Sequence, residues 1–198
     1  MGFQIELYRP EFLPDLHHIC LLTGDSGEDA TYMYTNPNTP GDFFAVPYAI
    51  LEPDLTFVLT DELGACGYVL GTRDSSAFES FMNDTWLPPL RPKYAVTNSS
   101  LPTELWLLEL IQTGYQAPEN AELYPAHLHI DLLPRAQGQG MGRKIMTVFL
   151  EKLRTLEIPG VHLGVGKKNP NAIMFYEHLG FQKLEEHEFS ILYGMRLK

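Results

Sequence analysis

The sequence predicts an α+β fold on a mixed sheet, and two observations carry that prediction. In the first half, the apolar runs 55–60 and 65–71 flank Asp61-Glu62-Leu63-Gly64, the pattern of an antiparallel hairpin with a short glycine-containing turn. In the last third, a strand-like run at 126–133, a helical run at 138–156 and a second strand-like run at 161–165 follow one another, as in a right-handed parallel crossover. A hairpin beside a βαβ unit makes the sheet mixed.

The remaining elements follow in chain order. Phe3, Ile5 and Leu7 alternate with Gln4, Glu6 and Tyr8, which reads as a first strand. Pro10 suits the first turn of a helix whose apolar face holds Phe12, Leu16, Ile19 and Cys20 and which Gly24 stops. Residues 24–53, rich in Asp, Asn, Tyr, Gly and Pro, read as a long loop with a short helix near 43–51. Amphipathic helices are expected over 75–86, broken by Pro88-Pro89, and over 102–113; 118–125 reads as loop. A helix over 171–179 ends at Gly180, and 181–197 holds two strands joined near His187.

Composition narrows the function. The chain has 198 residues, enough to bury a core in one domain, with 44% hydrophobic and 20% charged residues. Lys+Arg of 14 against Asp+Glu of 25 gives a net charge of −11, which excludes a non-specific nucleic-acid binder and disfavours anionic membranes. No apolar run approaches the ~20 residues that span a bilayer. Met1-Gly2-Phe3-Gln4-Ile5-Glu6 lacks the basic and apolar regions of a signal peptide, so a soluble, cytoplasmic protein is expected. Cys20 and Cys66 read as buried thiols in a reducing compartment, and no Cys/His spacing suggests a metal.

The most informative segment is His127-Leu-His-Ile-Asp-Leu-Leu-Pro-Arg-Ala-Gln-Gly-Gln-Gly-Met-Gly-Arg143. A strand ends at Pro134, Gly138, Gly140 and Gly142 follow, and a helix begins at once. Missing β-carbons let a ligand oxygen approach the backbone, and the first helical N–H groups, at the positive end of the dipole, point at it. Pyrophosphate is the natural guest, with Arg143 able to add a charge. The spacing is neither G-x-G-x-x-G nor a P-loop; a loop that only packs a helix tightly is the bland alternative. Some thirty residues on stands Asn169-Pro170-Asn171-Ala172-Ile173-Met174-Phe175-Tyr176-Glu177-His178-Leu179-Gly180-Phe181, where Asn171 could cap the helix or bond an amide-rich ligand.

Arg135-x-x-Gly138-x-Gly140 followed by Asn171, Tyr176, Gly180 and Phe181 resembles the GCN5-related N-acetyltransferases (GNAT), although the alanine between Asn171 and Tyr176 is displaced by one position. The middle of the chain, from Glu52-Pro53-Asp54 through Gly64 to Gly71, is similar to the acetyltransferase-like C-terminal domain of long-form O-GlcNAcases; the chain resembles a free-standing bacterial relative of it. The resemblance implies one GNAT domain over residues 1–198. Its central sheet would be mixed, mostly antiparallel and of six to seven strands, with helices on both faces and a splayed parallel strand pair at the cofactor cleft.

The implied cofactor is acetyl-CoA. The implied contacts are Ile130, Leu132, Leu133, Gln137, Gly138, Gln139, Gly140, Met141, Gly142, Arg143, Asn171, Phe175 and Tyr176, with an amide near Leu132 polarising the acetyl carbonyl. The implied reaction is direct attack of an amine, from a small molecule or a protein lysine, with Tyr176 as proton donor to the thiolate. For the base, His127, His129 and Asp131 share one face of their strand. His129 has a suitable pKa, Asp131 could orient it or bind a cationic acceptor, and a plain polar strand face or a water relay is the alternative. A non-catalytic acetyl-CoA-binding or scaffolding module is the rival function. Either a monomer or a homodimer is compatible.

Overall fold

The structure, a computed structural model, describes residues 2–96, 99–118 and 123–198; positions 119–122 of the expected 118–125 loop lie outside the described residues. Its elements are β1 (Gln4–Leu7), α1 (Leu13–Thr23), α2 (Thr39–Phe44), α3 (Val46–Leu51), β2 (Thr56–Asp61), β3 (Gly64–Thr72), α4 (Ser75–Phe81), α5 (Leu87–Leu90), α6 (Pro102–Thr113), β4 (Ala126–Leu132), α7 (Met141–Thr155), β5 (Gly160–Gly166), α8 (Pro170–Leu179), β6 (Gln182–Glu186) and β7 (Ser190–Arg196). The seven strands form one sheet in the order β1-β2-β3-β4-β5-β7-β6. Every neighbouring pair is antiparallel except β4–β5. The expected mixed sheet with one parallel pair is what the chain forms. Among the described residues, no helix is long and apolar enough to cross a membrane.

Two expectations need correction. The 24–53 segment is more ordered than its composition suggests, because Pro40 and Pro47 each sit in the first turn of a helix, α2 and α3, where a missing N–H costs nothing. Pro88-Pro89 does not break the helix over 75–86 as expected. Residues Met82–Trp86 form a π-turn in which the Leu87 N–H reaches the Met82 carbonyl, so both prolines enter a fresh first turn in α5.

Strand alternation divides the sheet's two faces. On β4, His127 meets Tyr48 of α3 and Ser75 of α4, and His129 meets the Phe44 carbonyl of α2, so odd positions face the N-terminal helices. Leu132, an even position, lies beside Gly142 of α7 on the other face. There α7 buries Ile145, Met146, Phe149, Leu150 and Leu153. Phe149 comes so close to β3 that a β-carbon on Gly71 would stand 2.6 Å from its ring and 2.3 Å from the His127 carbonyl oxygen. Cys20 and Cys66 are buried free thiols.

Candidate active site

β4 and β5 pair only at Ala126↔Val161 and His127↔His162. Beyond that point β5 runs with β7 through Gly166 while β4 stays with β3, and the two parallel strands part. The edge of β4 exposed in this way has a defined chemistry. The Leu133 N–H donates to the Cys66 carbonyl at 2.8 Å, in register with Gly67↔Leu132, so odd residues spend their backbone groups on β3. The amides and carbonyls of Ile130 and Leu132 therefore face the gap. The Leu132 carbonyl accepts from Gln137 Nε2 at 2.8 Å, which brings that side chain to the end of the open edge.

The gap opens into a cleft of about 520 Å³. At one end lies the glycine loop. Gly138 and Gly140 adopt φ of +69° and +73°, a left-handed conformation costly for any residue with a β-carbon, and a β-carbon at either would meet open space. The first helical bond of α7 runs from Lys144 N–H to the Gly140 carbonyl. Among the described residues, the six N–H groups from Gly138 to Arg143 have no partner in the protein. No acidic side chain occupies the first turn of α7, and Arg143 lines the cleft. Converging unpaired amides at a helix N-terminus form a site for a phosphate-type anion.

The opposite wall comes from α8. Its N-cap is Asn169, whose Oδ1 accepts from Ala172 N–H at 3.0 Å; Asn171, expected as cap or ligand contact, is the second residue of the helix, exposed and on the cleft wall. Phe175 packs against Gly142, and Tyr176 is buried with its residue on the cleft wall. Burial, then the charge of Asp131, pushes the Tyr176 hydroxyl's pKa upward, so the group keeps its proton.

Asp131 also lines the cleft. Its Oδ2 accepts from the Tyr68 hydroxyl at 2.5 Å and lies 3.2 Å from His129 Nε2, while His129 Nδ1 is 2.9 Å from the Phe44 carbonyl oxygen. The Asp131 charge and burial hold Tyr68 protonated as well: burial is the larger cause.

Of the expected site residues, Ile130, Asp131, Leu132, Gln137, Gly138, Gly140, Gly142, Arg143, Asn171, Phe175 and Tyr176 line one cleft. Leu133 does not: it is buried and its N–H belongs to Cys66. Met141 turns its side chain into the core, and Gln139 turns its amide back onto the Arg135 carbonyl. His129 stands behind Asp131 rather than on the cleft wall.

His127 is a core residue. The Ser75 hydroxyl donates to the Pro125 carbonyl and so accepts from His127 Nδ1–H at 2.7 Å, and His127 Nε2 accepts from the Tyr48 hydroxyl at 2.8 Å. Burial, helped by His162 and His129, pushes its pKa well below the ordinary value. Arg135 of the motif fastens the loop from outside, donating to Asp61 Oδ2 at 2.8 Å and to the Ala65 carbonyl at 2.7 Å.

Reading the sequence missed one wall, formed by Thr23, Ser26, Gly27 and Glu28 at the end of α1, where Gly27 comes close to Asn169. Its only local signal is the Gly24-Asp25-Ser26-Gly27 turn, which carries no hint of what it faces.

Comparison with known proteins agrees with this geometry. The acetyltransferase (GNAT) domain model matches residues 104–183. The crystal structure of SsHAT is 34% identical, with a TM-score of 0.89 and coverage of 100% of both chains. The O-GlcNAcase of Rattus norvegicus is 24% identical over 192 residues, 94% of this chain but 21% of that protein. The chain thus spans about a fifth of the length of that curated relative. The mycothiol acetyltransferase of Acidothermus cellulolyticus is 47% identical over 49 residues, 25% of this chain and 15% of that protein. The fold and the cleft define a class of protein in which two parallel strands part beside a glycine-lined helix N-terminus. The chain belongs to the GNAT acetyltransferase family.

Proposed function

We propose that the protein is an acetyl-CoA-dependent N-acetyltransferase. The observation that carries this reading is the continuity of one cleft from the unpaired amides at 138–143, along the open edge of Ile130 and Leu132, to Tyr176 and Asp131. Each part suits a part of acetyl-CoA: the amides a pyrophosphate, the strand edge the amides of a pantetheine arm, and a protonated hydroxyl the sulfur of the thioester. Acetyl-CoA supplies the activated acetyl group. The protein's part is to orient it through the β4 edge, to receive the proton that an acceptor ammonium must lose, at Asp131, and to offer a proton toward the departing sulfur, at Tyr176. The Leu132 N–H, which points into the gap, would polarise the acetyl carbonyl, whereas the Leu133 N–H is already engaged.

The similarity to an O-GlcNAcase covers only a fifth of that protein, so hydrolysis of sugars forms no part of this reading. Calorimetric titration with acetyl-CoA, followed by turnover of a panel of small-molecule and peptide amines, tests it. Binding with release of free thiol is the expected result. Absence of binding at millimolar acetyl-CoA would overturn the reading; binding without turnover on any amine would leave a non-catalytic acetyl-CoA-binding module.

A further inference from the structure

Asp131 is gripped by one oxygen only. The Tyr68 hydroxyl and His129 Nε2 both approach Oδ2, and among the described residues Oδ1 has no hydrogen-bond partner while the residue lines the cleft. Tyr68, in the middle of β3, is fully buried, and the bond to Asp131 is the one its hydroxyl donates. His129 is held just as firmly. A carbonyl oxygen can only accept, so the Phe44 contact requires the proton on Nδ1, which turns Nε2 toward the carboxylate. Nε2 then lies 3.2 Å from Oδ2, on the same oxygen that Tyr68 holds.

We propose that Tyr68 is a positioning residue: by holding Oδ2 of Asp131 against His129, it turns Oδ1 into the cleft as the atom that takes the acceptor's proton. This deepens the N-acetyltransferase reading and rests on it for the identity of the proton's source, but the grip on Asp131 is a property of the protein alone. The proton balance is simple. An ammonium N–H bond breaks and an O–H bond forms at Oδ1; once the product has left, the same O–H bond breaks and Oδ1 gives its proton to water in the open cleft, so the carboxylate ends the cycle as it began. Among the described residues, the titratable groups in contact with Asp131 or shifted by its charge are Tyr68 on β3, His129 on β4, Cys20 on α1, whose thiol burial keeps protonated, and Tyr176 on α8; Glu28, Arg143 and His178 share the cleft wall.

A donor to a carboxylate favours its charged form, so removing that donor makes the group take up a proton at higher pH. In Tyr68→Phe, carbon-13 NMR of the labelled Asp131 carboxyl should show protonation about one pH unit higher than in the wild-type protein. The acid limb of kcat/KM should move up by the same amount while the acetyl-CoA Kd stays unchanged. Placing 3-fluorotyrosine at position 68, a stronger donor of nearly the same shape, should move both downward and guards against a Tyr68→Phe protein that fails to fold. An Asp131 titration that moves in neither variant overturns the proposal, because a hydroxyl that merely fills the core would leave it in place. The NMR measurement needs no turnover, so its outcome is separate from success or failure of the amine panel.

Discussion

His127 and His162 form the last register pair that joins β4 to β5, and their rings lie 5.4 Å apart at the point where the cleft begins. Both residues are buried. His127 is held by Tyr48 and Ser75, and His162 Nδ1 donates to the Tyr124 carbonyl at 2.7 Å. The two side chains sit where the strands part, and the residues proposed for the chemistry, Asp131 and Tyr176, line the cleft further along.

This closure makes stability depend on pH. Burial lowers the pKa of both histidines, so the unfolded chain binds more protons than the folded one once the pH falls below the ordinary value of 6.5. Stability is therefore complete above that pH and declines as the medium is acidified. Urea midpoints at pH 7, 6 and 5 should fall in that order. His127→Gln should flatten the decline, at a cost of about 1–3 kcal/mol at pH 7 from the broken bonds to Tyr48 and Ser75.

Tyr176→Phe should separate binding from chemistry. Loss of a positioned proton donor lowers kcat by about a hundredfold or more, while the acetyl-CoA Kd stays within about twofold. Because burial and Asp131 push the phenol pKa up, wild-type rates should show no alkaline loss from this group below about pH 10. A variant whose Kd rises tenfold with kcat unchanged would mark Tyr176 as cleft wall only.

Gly140→Val should abolish acetyl-CoA binding. The residue's φ of +73° is strained for a β-branched side chain, and the added bulk would stand in the open space where the phosphate is expected. Calorimetric affinity is the measurement, and retained affinity would refute the loop's role.

The two asparagines of α8 should respond in opposite ways. Asn169→Ala removes the cap on Ala172 N–H and should cost about 1 kcal/mol of stability in a denaturation curve. Asn171→Ala should leave the midpoint in place and weaken acetyl-CoA binding, since Asn171 is exposed on the cleft wall.

The element order of the last third of the chain is legible in its sequence because the signals there are local. Gly138 and Gly140 stand where the backbone must turn left-handed, and the β4–α7–β5–α8 order follows from side-chain periods within single segments. The same logic failed at Pro88-Pro89, where a π-turn absorbed the missing donors; of the two roles open to Asn171, the cap belongs to Asn169 two residues earlier, and Asn171 lies on the cleft wall. Arg135 was counted with the glycine motif, yet its partners Asp61 and Ala65 lie 74 and 70 residues away.

By itself, then, the sequence determined that a glycine-rich strand–helix junction and a tyrosine-bearing helix would exist, and with them the family, because backbone conformation and helical spacing are properties of neighbouring residues. Only the tertiary structure decided what surrounds them. Tyr68 reaches Asp131 across 63 residues and Tyr48 reaches His127 across 79, contacts that exist only once β3 has paired with β4 and the N-terminal helices have packed on that face. Such pairs leave no period in the chain, so which strand residues meet the cleft and which are sealed in the core is settled by packing alone.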